Sequence, residues 1–125
     1  MKPRLLFDSS VLIEVLRRKP VAISYLRSTK ATPFLSAIVV AELFAGIREG
    51  RERLELERIT SSFRIVRVTK VIAIQGGLIA RKYRQSHGTG LFDAMIAATS
   101  LEINAQLVTL NVRHFPMLPD VIKPY

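Results

Sequence analysis

The sequence predicts an α/β fold in which a central parallel β-sheet is flanked by helices. Short apolar runs of strand length alternate with longer segments of helical periodicity, a pattern typical of parallel strands joined by right-handed crossovers. Several helical segments begin at a residue that can cap a helix N-terminus. The length of 125 residues fits one ordinary domain with its own core. We therefore expect a single domain over residues 1–125.

Apolar periodicity and capping residues place the individual elements. The predicted strands cover residues 4–7, 34–35, 64–68 and 105–110. The predicted helices cover a segment between Asp8 and Pro20 and residues 21–27, 37–48, 51–63, 70–86 and 91–103. A serine or Asp8 caps the first helix, Ser36 and Thr69 cap two others, and Gly50 suits a helix C-terminus.

Shorter features complete the predicted chain. Gly76 and Gly77 are expected to interrupt the long helix, because they lower helix propensity, and to allow another backbone to approach closely. Residues 87–90 form a loop, residues 112–115 a turn or short helix, and residues 121–122 a last short strand.

Composition indicates a folded protein with a polyanionic partner. The net charge is +9, from 19 Lys and Arg against 10 Asp and Glu, in a chain that is 49% hydrophobic. The alternative is that positive charge serves only solubility. The sequence has no cysteine, which excludes disulfides, thiolate zinc sites and cysteine nucleophiles and fits a reducing compartment.

The N-terminal segment MKPRLLFDSSVLIEV resembles a secretory signal only until Asp8 and Glu14 interrupt its apolar stretch. No run approaches the roughly 20 apolar residues that a membrane helix needs. We expect a cytoplasmic protein with no membrane partner.

Three acidic residues stand alone in apolar runs: Asp8 in LLFDSSVLI, Glu42 in AIVVAELFAGI and Asp93 in GLFDAMIAAT. A carboxylate carried into the interior is costly unless it is paired, protonated or bound to a cation. The remaining acids mostly lie near Lys or Arg or in polar stretches. Helix capping would explain Asp8 and Asp93 but not Glu42. We therefore predict a site for a hard divalent cation, Mg²⁺ or Mn²⁺.

The predicted positions of these acids point to one crevice. Ligands of open parallel sheets bind outside the carboxyl ends of the strands, near a switch in strand order. Asp8 and Asn111 fall just after strands, and Asp93 opens a helix. Glu42 lies farther along its helix, which must lean across the same crevice.

Three fragments in order, FDSSVLIE, SAIVVAELFAGI and FDAMIAATSLEINAQLVTLNVRHF, extend this interpretation. With the short chain length, they make the sequence resemble the PIN-domain ribonucleases, and among them the VapC-type toxins of toxin–antitoxin pairs. The resemblance implies a PIN-like α/β sandwich and an RNA substrate. It implies that Asp8, Glu42 and Asp93 are both catalytic residues and ligands of Mg²⁺ or Mn²⁺. A metal-activated water would attack the phosphate and leave 5′-phosphate and 3′-hydroxyl ends.

The resemblance also implies protein partners, namely a second copy in a homodimer and a small antitoxin. Such antitoxins commonly place a C-terminal segment in the toxin's groove, where an inserted Arg pairs with the acidic pocket.

The chain departs from the family at the fourth acid. Many members carry a carboxylate in the segment where this sequence has Asn111 and His114, so a second metal would be held weakly or not at all. Five residues are predicted to support the ligands or contact the substrate: Ser9, Thr109, Asn111, Arg113 and His114. Two basic clusters, residues 17–19 and 81–84, are either phosphate contacts or solvated helix faces.

Two other functions fit parts of the pattern. Changes at Asn111 and His114 would suit a PIN-like RNA-binding module without catalysis. A receiver-type phosphoacceptor domain also combines this length with a parallel sheet and an acidic Mg²⁺ site, although Glu42 and Asp93 lie in helical runs rather than after strands.

Overall fold

The computed structural model describes residues 3–125. The strands of its sheet are β1 (Arg4–Phe7), β2 (Thr32–Ser36), β3 (Arg64–Val66) and β4 (Gln106–Val108). The α-helices are α1 (Ser9–Leu16), α2 (Pro20–Ser28), α3 (Ala37–Gly46), α4 (Arg51–Ser61), α5 (Lys70–His87) and α6 (Leu91–Ile103). A 3₁₀ turn covers Val112–His114.

The four strands form one parallel sheet in the order β3-β2-β1-β4. Leu6 on β1 stands opposite Phe34 on β2 and Leu107 on β4. The chain builds the sheet outward from β1 to β3 and then crosses back to place β4 on the other side of β1. The switch in strand order therefore lies between β1 and β4, and the predicted central parallel sheet flanked by helices is confirmed.

The core explains why β1 is a continuous apolar run. Leu5, Leu6 and Phe7 are all buried, as expected for a central strand of a parallel sheet that is covered on both faces. The Phe7 ring packs edge-on against Phe63, with 5.4 Å between ring centroids. In the part of the chain described, residues 3–125, none of the helices has the length and apolar composition needed to cross a membrane.

The predicted helix starts agree well with the structure. The side chains of Asp8, Ser36 and Thr69 accept hydrogen bonds from the first backbone N–H groups of α1, α3 and α5. Helix α6 has the predicted bounds, and α2 begins with Pro20 in its first turn. Residue 122 adds only an isolated parallel bridge to Val108.

The segment between α3 and α4 differs from its prediction. Helix α3 ends at Gly46, and Gly50 is the N-cap of α4 rather than the end of α3. Gly50 has φ 97°, a backbone conformation that favours glycine, but its ψ of −125° is not the left-handed conformation of a helix C-cap. A glycine in the sequence marks the break between two helices without showing which helix end it forms.

Candidate active site

Asp8 follows β1 directly and is the buried carboxylate of the site, with 4% exposure. Its Oδ1 accepts a 2.8 Å hydrogen bond from the Ser9 N–H, so Asp8 also caps α1. The Asp8 N–H donates to the Val108 carbonyl at 3.0 Å. This bond fixes the carboxylate beside the end of β4, at the switch in strand order.

The segment after β4 encloses the second oxygen of Asp8. Thr109 Oγ1 donates to Asp8 Oδ2 at 2.7 Å, and Ser10 Oγ donates to the same oxygen at 3.4 Å. Thr109 Oγ1 also accepts from the Asn111 N–H at 3.0 Å, and Ser10 Oγ accepts from the Leu110 N–H at 3.1 Å. These bonds join the ends of β1 and β4 and stabilise a charge that is otherwise costly to bury.

Asp93 lies in the first turn of α6, and its side chain is 27% exposed. Burial raises the pKa of Asp93 above its ordinary value, and the charge of Asp8 and, less strongly, that of Glu42 raise this pKa further. His114 opposes this shift, because its Nδ1 lies 3.2 Å from Asp93 Oδ2. The Asp93 carboxylate is thus within electrostatic reach of both other acids.

The structure contradicts the premise that all three carboxylates enter the interior. Glu42 is exposed on α3, whose buried side chains are Val39 and Leu43. The nearly continuous apolar run predicted burial on every side of the helix, but only one side of α3 is fully packed. Asp8 is buried, Asp93 is partly buried and Glu42 is exposed.

Glu42 instead lines a groove of about 380 Å³ between α1 and the end of α3. The groove has an apolar wall and charged residues around it. Its lining consists of Ile13, Leu16, Arg17, Glu42, Leu43, Gly46, Ile47, Arg48 and Glu52.

The remaining predicted site residues divide by their contacts. Thr109 reaches Asp8 and His114 reaches Asp93, as described above. Ser9 contributes its backbone N–H to Asp8, while Asn111 and Arg113 are exposed at the same edge of the sheet. Among residues 3–125, no three Asp, Glu or His side chains converge closely enough to coordinate one ion by themselves.

Two residues outside the predicted site make site contacts: Ser10, which the sequence offered beside Ser9 with Ser9 slightly favoured, and Thr89, which the sequence did not single out. Ser10 rather than Ser9 supplies the hydroxyl that bridges Asp8 and the end of β4. Thr89 is fully buried in the loop before α6 and donates to the His114 carbonyl at 2.8 Å. The only sequence feature marking Thr89 is its position between Gly88 and Gly90 in a short loop.

A comparison with known protein families identifies the family to which this fold belongs. The family model described as PIN domain matches residues 5–118. The chain belongs to the PIN-domain family. The predicted membership and the PIN-like sandwich are therefore confirmed, and the receiver-type alternative is wrong.

Relatives within the PIN-domain family place the chain among the VapC proteins. Ribonuclease VapC10 of Mycobacterium tuberculosis is 44% identical over 124 residues, covering 97% of this chain and 92% of the relative. Ribonuclease VapC19 of the same organism is 41% identical over 124 residues, covering 96% and 98%. A chain of a toxin–antitoxin complex from Klebsiella pneumoniae superposes with a TM-score of 0.81 at 26% identity, covering 97% of this chain and 98% of that one.

Proposed function

We propose that this PIN-domain protein is an endoribonuclease toxin that hydrolyses RNA phosphodiester bonds with a divalent cation, Mg²⁺ or Mn²⁺. The observation that carries the proposal is the pair of acidic side chains at the β1–β4 switch point: Asp8 and Asp93 lie at the carboxyl end of the sheet, where open α/β folds bind ligands. Relatives named ribonucleases at 41% and 44% identity support the reaction class.

The residues present fit a hard cation. Asp8, Asp93 and Glu42 provide carboxylate oxygens, which Mg²⁺ and Mn²⁺ prefer. The raised pKa of Asp93, caused by burial and then by Asp8 and Glu42, indicates repulsion that a cation would relieve. Because Mg²⁺ usually retains several waters and needs only one or two carboxylates, a close cluster of three is not required.

The protein's part in the reaction is positioning and charge. Thr109 and Ser10 hold Asp8, and His114 holds Asp93, so both carboxylates are fixed before any ligand arrives. When bound, a divalent cation supplies charge that lowers the pKa of water and stabilises negative charge on phosphate oxygens. Exposed Arg113 stands beside His114, where it can contact a phosphate.

The RNA substrate is supported by charge and by exposed cations near the site. The net charge of +9 favours a polyanion, and Arg81, Lys82 and Arg84 are exposed at the end of α5, near the loop that leads to Asp93. Lys19 contributes less, because its ammonium pairs with Glu14 at 3.0 Å.

We propose an antitoxin as partner at the groove that Glu42 lines. The Klebsiella neighbour is part of a toxin–antitoxin complex. An apolar wall with Arg17 and Arg48 at its margins suits an amphipathic segment with acidic residues. An Arg from that segment could pair with the acidic site, because Glu42 lies within electrostatic reach of Asp93.

We propose a homodimer through the outer face of α5. Val71, Ile74 and Leu78 are each about half exposed and share one side of this helix. An apolar stripe of this kind is stabilised when a second copy covers it. The single-domain extent and the cytoplasmic location stay predictions.

The metal dependence of RNA cleavage tests the proposed reaction. Purified protein treated with EDTA is titrated with Mg²⁺ and, separately, with Mn²⁺ on a labelled single-stranded RNA. We expect cleavage only with metal, and products with 5′-phosphate and 3′-hydroxyl ends. RNA binding without cleavage at every metal concentration would instead support the inactive RNA-binding module suggested by Asn111 and His114.

A further inference from the structure

Thr89 lies between two glycines in the loop that joins α5 to α6. Gly88 ends α5 with φ 65°, and Gly90 is the N-cap of α6 without a side-chain capping bond. Between these glycines, Thr89 is fully buried. A hydroxyl that is buried in a short loop needs a partner, and this one donates to the carbonyl of His114, 25 positions along the chain.

The hydrogen bond of Thr89 closes a ring of contacts around the site. Thr89 holds the backbone of His114, the His114 Nδ1 lies 3.2 Å from Asp93 Oδ2, and Asp93 lies in the first turn of the helix that begins just after Thr89. Two contacts thus join the start of α6 and the 3₁₀ turn. One runs from the Thr89 hydroxyl to the His114 carbonyl, and the other runs from the His114 imidazole to the Asp93 carboxylate.

A packing contact also anchors the C-terminal end of the 3₁₀ turn. Phe115 is buried in the core directly after His114, so the backbone is fixed on its C-terminal side by apolar contacts. The His114 N–H donates to the Asn111 carbonyl at 3.0 Å, a local bond within the turn. The Thr89 hydroxyl ties the His114 carbonyl to the loop that leads into α6. Without this bond, we expect Phe115 to stay packed in the core and the imidazole to hold its place on Asp93 less firmly.

We propose that Thr89 is a positioning residue of this site: its hydroxyl fixes the His114 backbone and thereby keeps the imidazole on the Asp93 carboxylate. The proposal rests on the proposed function for its consequence in catalysis, but the contacts themselves are present in the structure. Partners that orient a ligand carboxylate typically change metal affinity by about 10–100-fold. Thr89 acts one hydrogen bond farther away, and its effect is correspondingly smaller.

The test compares Mn²⁺ affinity of metal-free variants by calorimetry, without RNA. Thr89→Val keeps the side-chain shape and removes the hydroxyl, and we expect its Mn²⁺ affinity to fall by about 5-fold. Thr89→Ser keeps the donor and should restore affinity to within about 2-fold of wild type. The matched control is Thr99→Val, because Thr99 is also buried and donates at 2.8 Å to the Met95 carbonyl within α6. It should bind Mn²⁺ as wild type does.

A double-mutant cycle assigns the effect to His114. His114→Ala should weaken Mn²⁺ binding by itself, and adding Thr89→Val to it should cause no further loss. In the spectrum of the wild-type imidazole nitrogens at fixed pH, the His114 signals should shift in Thr89→Val and not in Thr99→Val. Equal Mn²⁺ affinity of wild type and Thr89→Val, or of wild type and His114→Ala, overturns the proposal.

The outcomes separate this proposal from the proposed reaction. If wild type binds Mn²⁺ but does not cleave RNA, the endoribonuclease reaction fails while the affinity series still decides the role of Thr89. If wild type cleaves RNA and Thr89→Val matches it in both affinity and imidazole signals, only the role of Thr89 fails. Should Thr89→Val not fold, Thr89→Ala, which also removes the hydroxyl, takes its place in the series, and Mn²⁺ affinity equal to that of wild type then overturns the proposal.

Discussion

At the level of single residues, Thr109 is the most informative contact of the site. Its hydroxyl donates to buried Asp8 and accepts from the Asn111 N–H, so Thr109→Val leaves a buried carboxylate and an N–H each short of a partner. We expect the free energy of unfolding to fall by about 1–3 kcal/mol. RNA cleavage should fall by about 10–100-fold. Urea unfolding and a cleavage time course measure the two effects.

The control for Thr109 is again the buried Thr99, whose hydroxyl bonds only within α6. For Thr99→Val, we expect the free energy of unfolding to fall by about 0.5–1.5 kcal/mol. Its cleavage rate per folded molecule should equal that of wild type. If the two variants retain the same cleavage rate per folded molecule, Thr109 has no role in the site.

A second residue-level prediction concerns pH. Tyr125 donates a hydrogen bond to Glu14; burial and then this bond raise the pKa of Tyr125 from 10.0 to about 12. The same bond, followed by Lys19, lowers the pKa of Glu14 below 4.5. A raised tyrosine pKa contributes stability that is complete below the unfolded value and is lost as pH rises toward the folded one. A lowered Glu pKa contributes stability above its unfolded value, which is lost in acid.

Tyr125→Phe should therefore be less stable than wild type at neutral pH, and the difference should narrow both in acid and above about pH 10. Urea unfolding across pH measures this difference. A difference that stays constant from acid to alkaline pH would show that the Tyr125–Glu14 bond does not contribute.

Residue identity alone located some site residues and missed others for physical reasons. Asp8 was predictable because a single carboxylate at the end of a buried strand has few explanations. The exposure of Glu42 was not predictable, because an almost wholly apolar helix does not indicate which side packs. The contacts of Ser10 and Thr89 depend on partners roughly 100 and 25 positions away, which no local pattern encodes.

At the level of elements, α5 and α6 pack closely at Gly76. A Cβ at this position would lie 3.1 Å from Met95 Cα and would overlap the Met95 sulfur, whereas a Cβ at Gly77 meets no atom within 4 Å. Gly76→Ala should lower the free energy of unfolding by about 1–3 kcal/mol, because the helices must separate. Gly77→Ala should raise it by about 0.5–1 kcal/mol through helix propensity.

If this packing is correct, thermal or urea unfolding shows a lower free energy of unfolding for Gly76→Ala and a higher one for Gly77→Ala. Gains of similar size at both positions would mean that α6 does not approach α5 at Gly76. The sequence indicated that another backbone approaches this glycine pair. Helix α5 continues unbroken through both glycines, so the packing of α6 determines which of the two faces it.

Element boundaries were predictable where capping chemistry is specific. Asp8, Ser36 and Thr69 each have one evident helix to cap, and α6 has the predicted bounds. Strand β3 is shorter than predicted and ends at Val66, because alternation of charged and apolar residues continues past the last residue that pairs with β2. Strand length is set by the neighbouring strand and not by the alternating pattern alone.

At the level of the whole molecule, the proposed homodimer through the outer face of α5 can be tested by one substitution. Ile74→Glu places a charge in the middle of the stripe formed by Val71, Ile74 and Leu78, so we expect the proposed dimer to dissociate. Light scattering after gel filtration measures the mass. Leu54→Glu is the control, because Leu54 is 64% exposed on α4 and lies outside the stripe. A dimer that survives Ile74→Glu but not Leu54→Glu would place the interface elsewhere.

The central claim, that the acidic side chains at the β1–β4 switch point hold the cation needed for RNA cleavage, is tested most directly by Asp93→Asn. Because burial and neighbouring acids raise the pKa of Asp93, removing its charge should leave the protein folded. Cleavage with Mg²⁺ or Mn²⁺ should fall by more than about 100-fold. This loss is larger than the one expected from removing a residue that only hydrogen-bonds to a metal ligand. Asp120→Asn, at an exposed aspartate near the opposite end of the sheet, should cleave as wild type does. Equal metal-dependent cleavage by Asp93→Asn and Asp120→Asn would contradict the account.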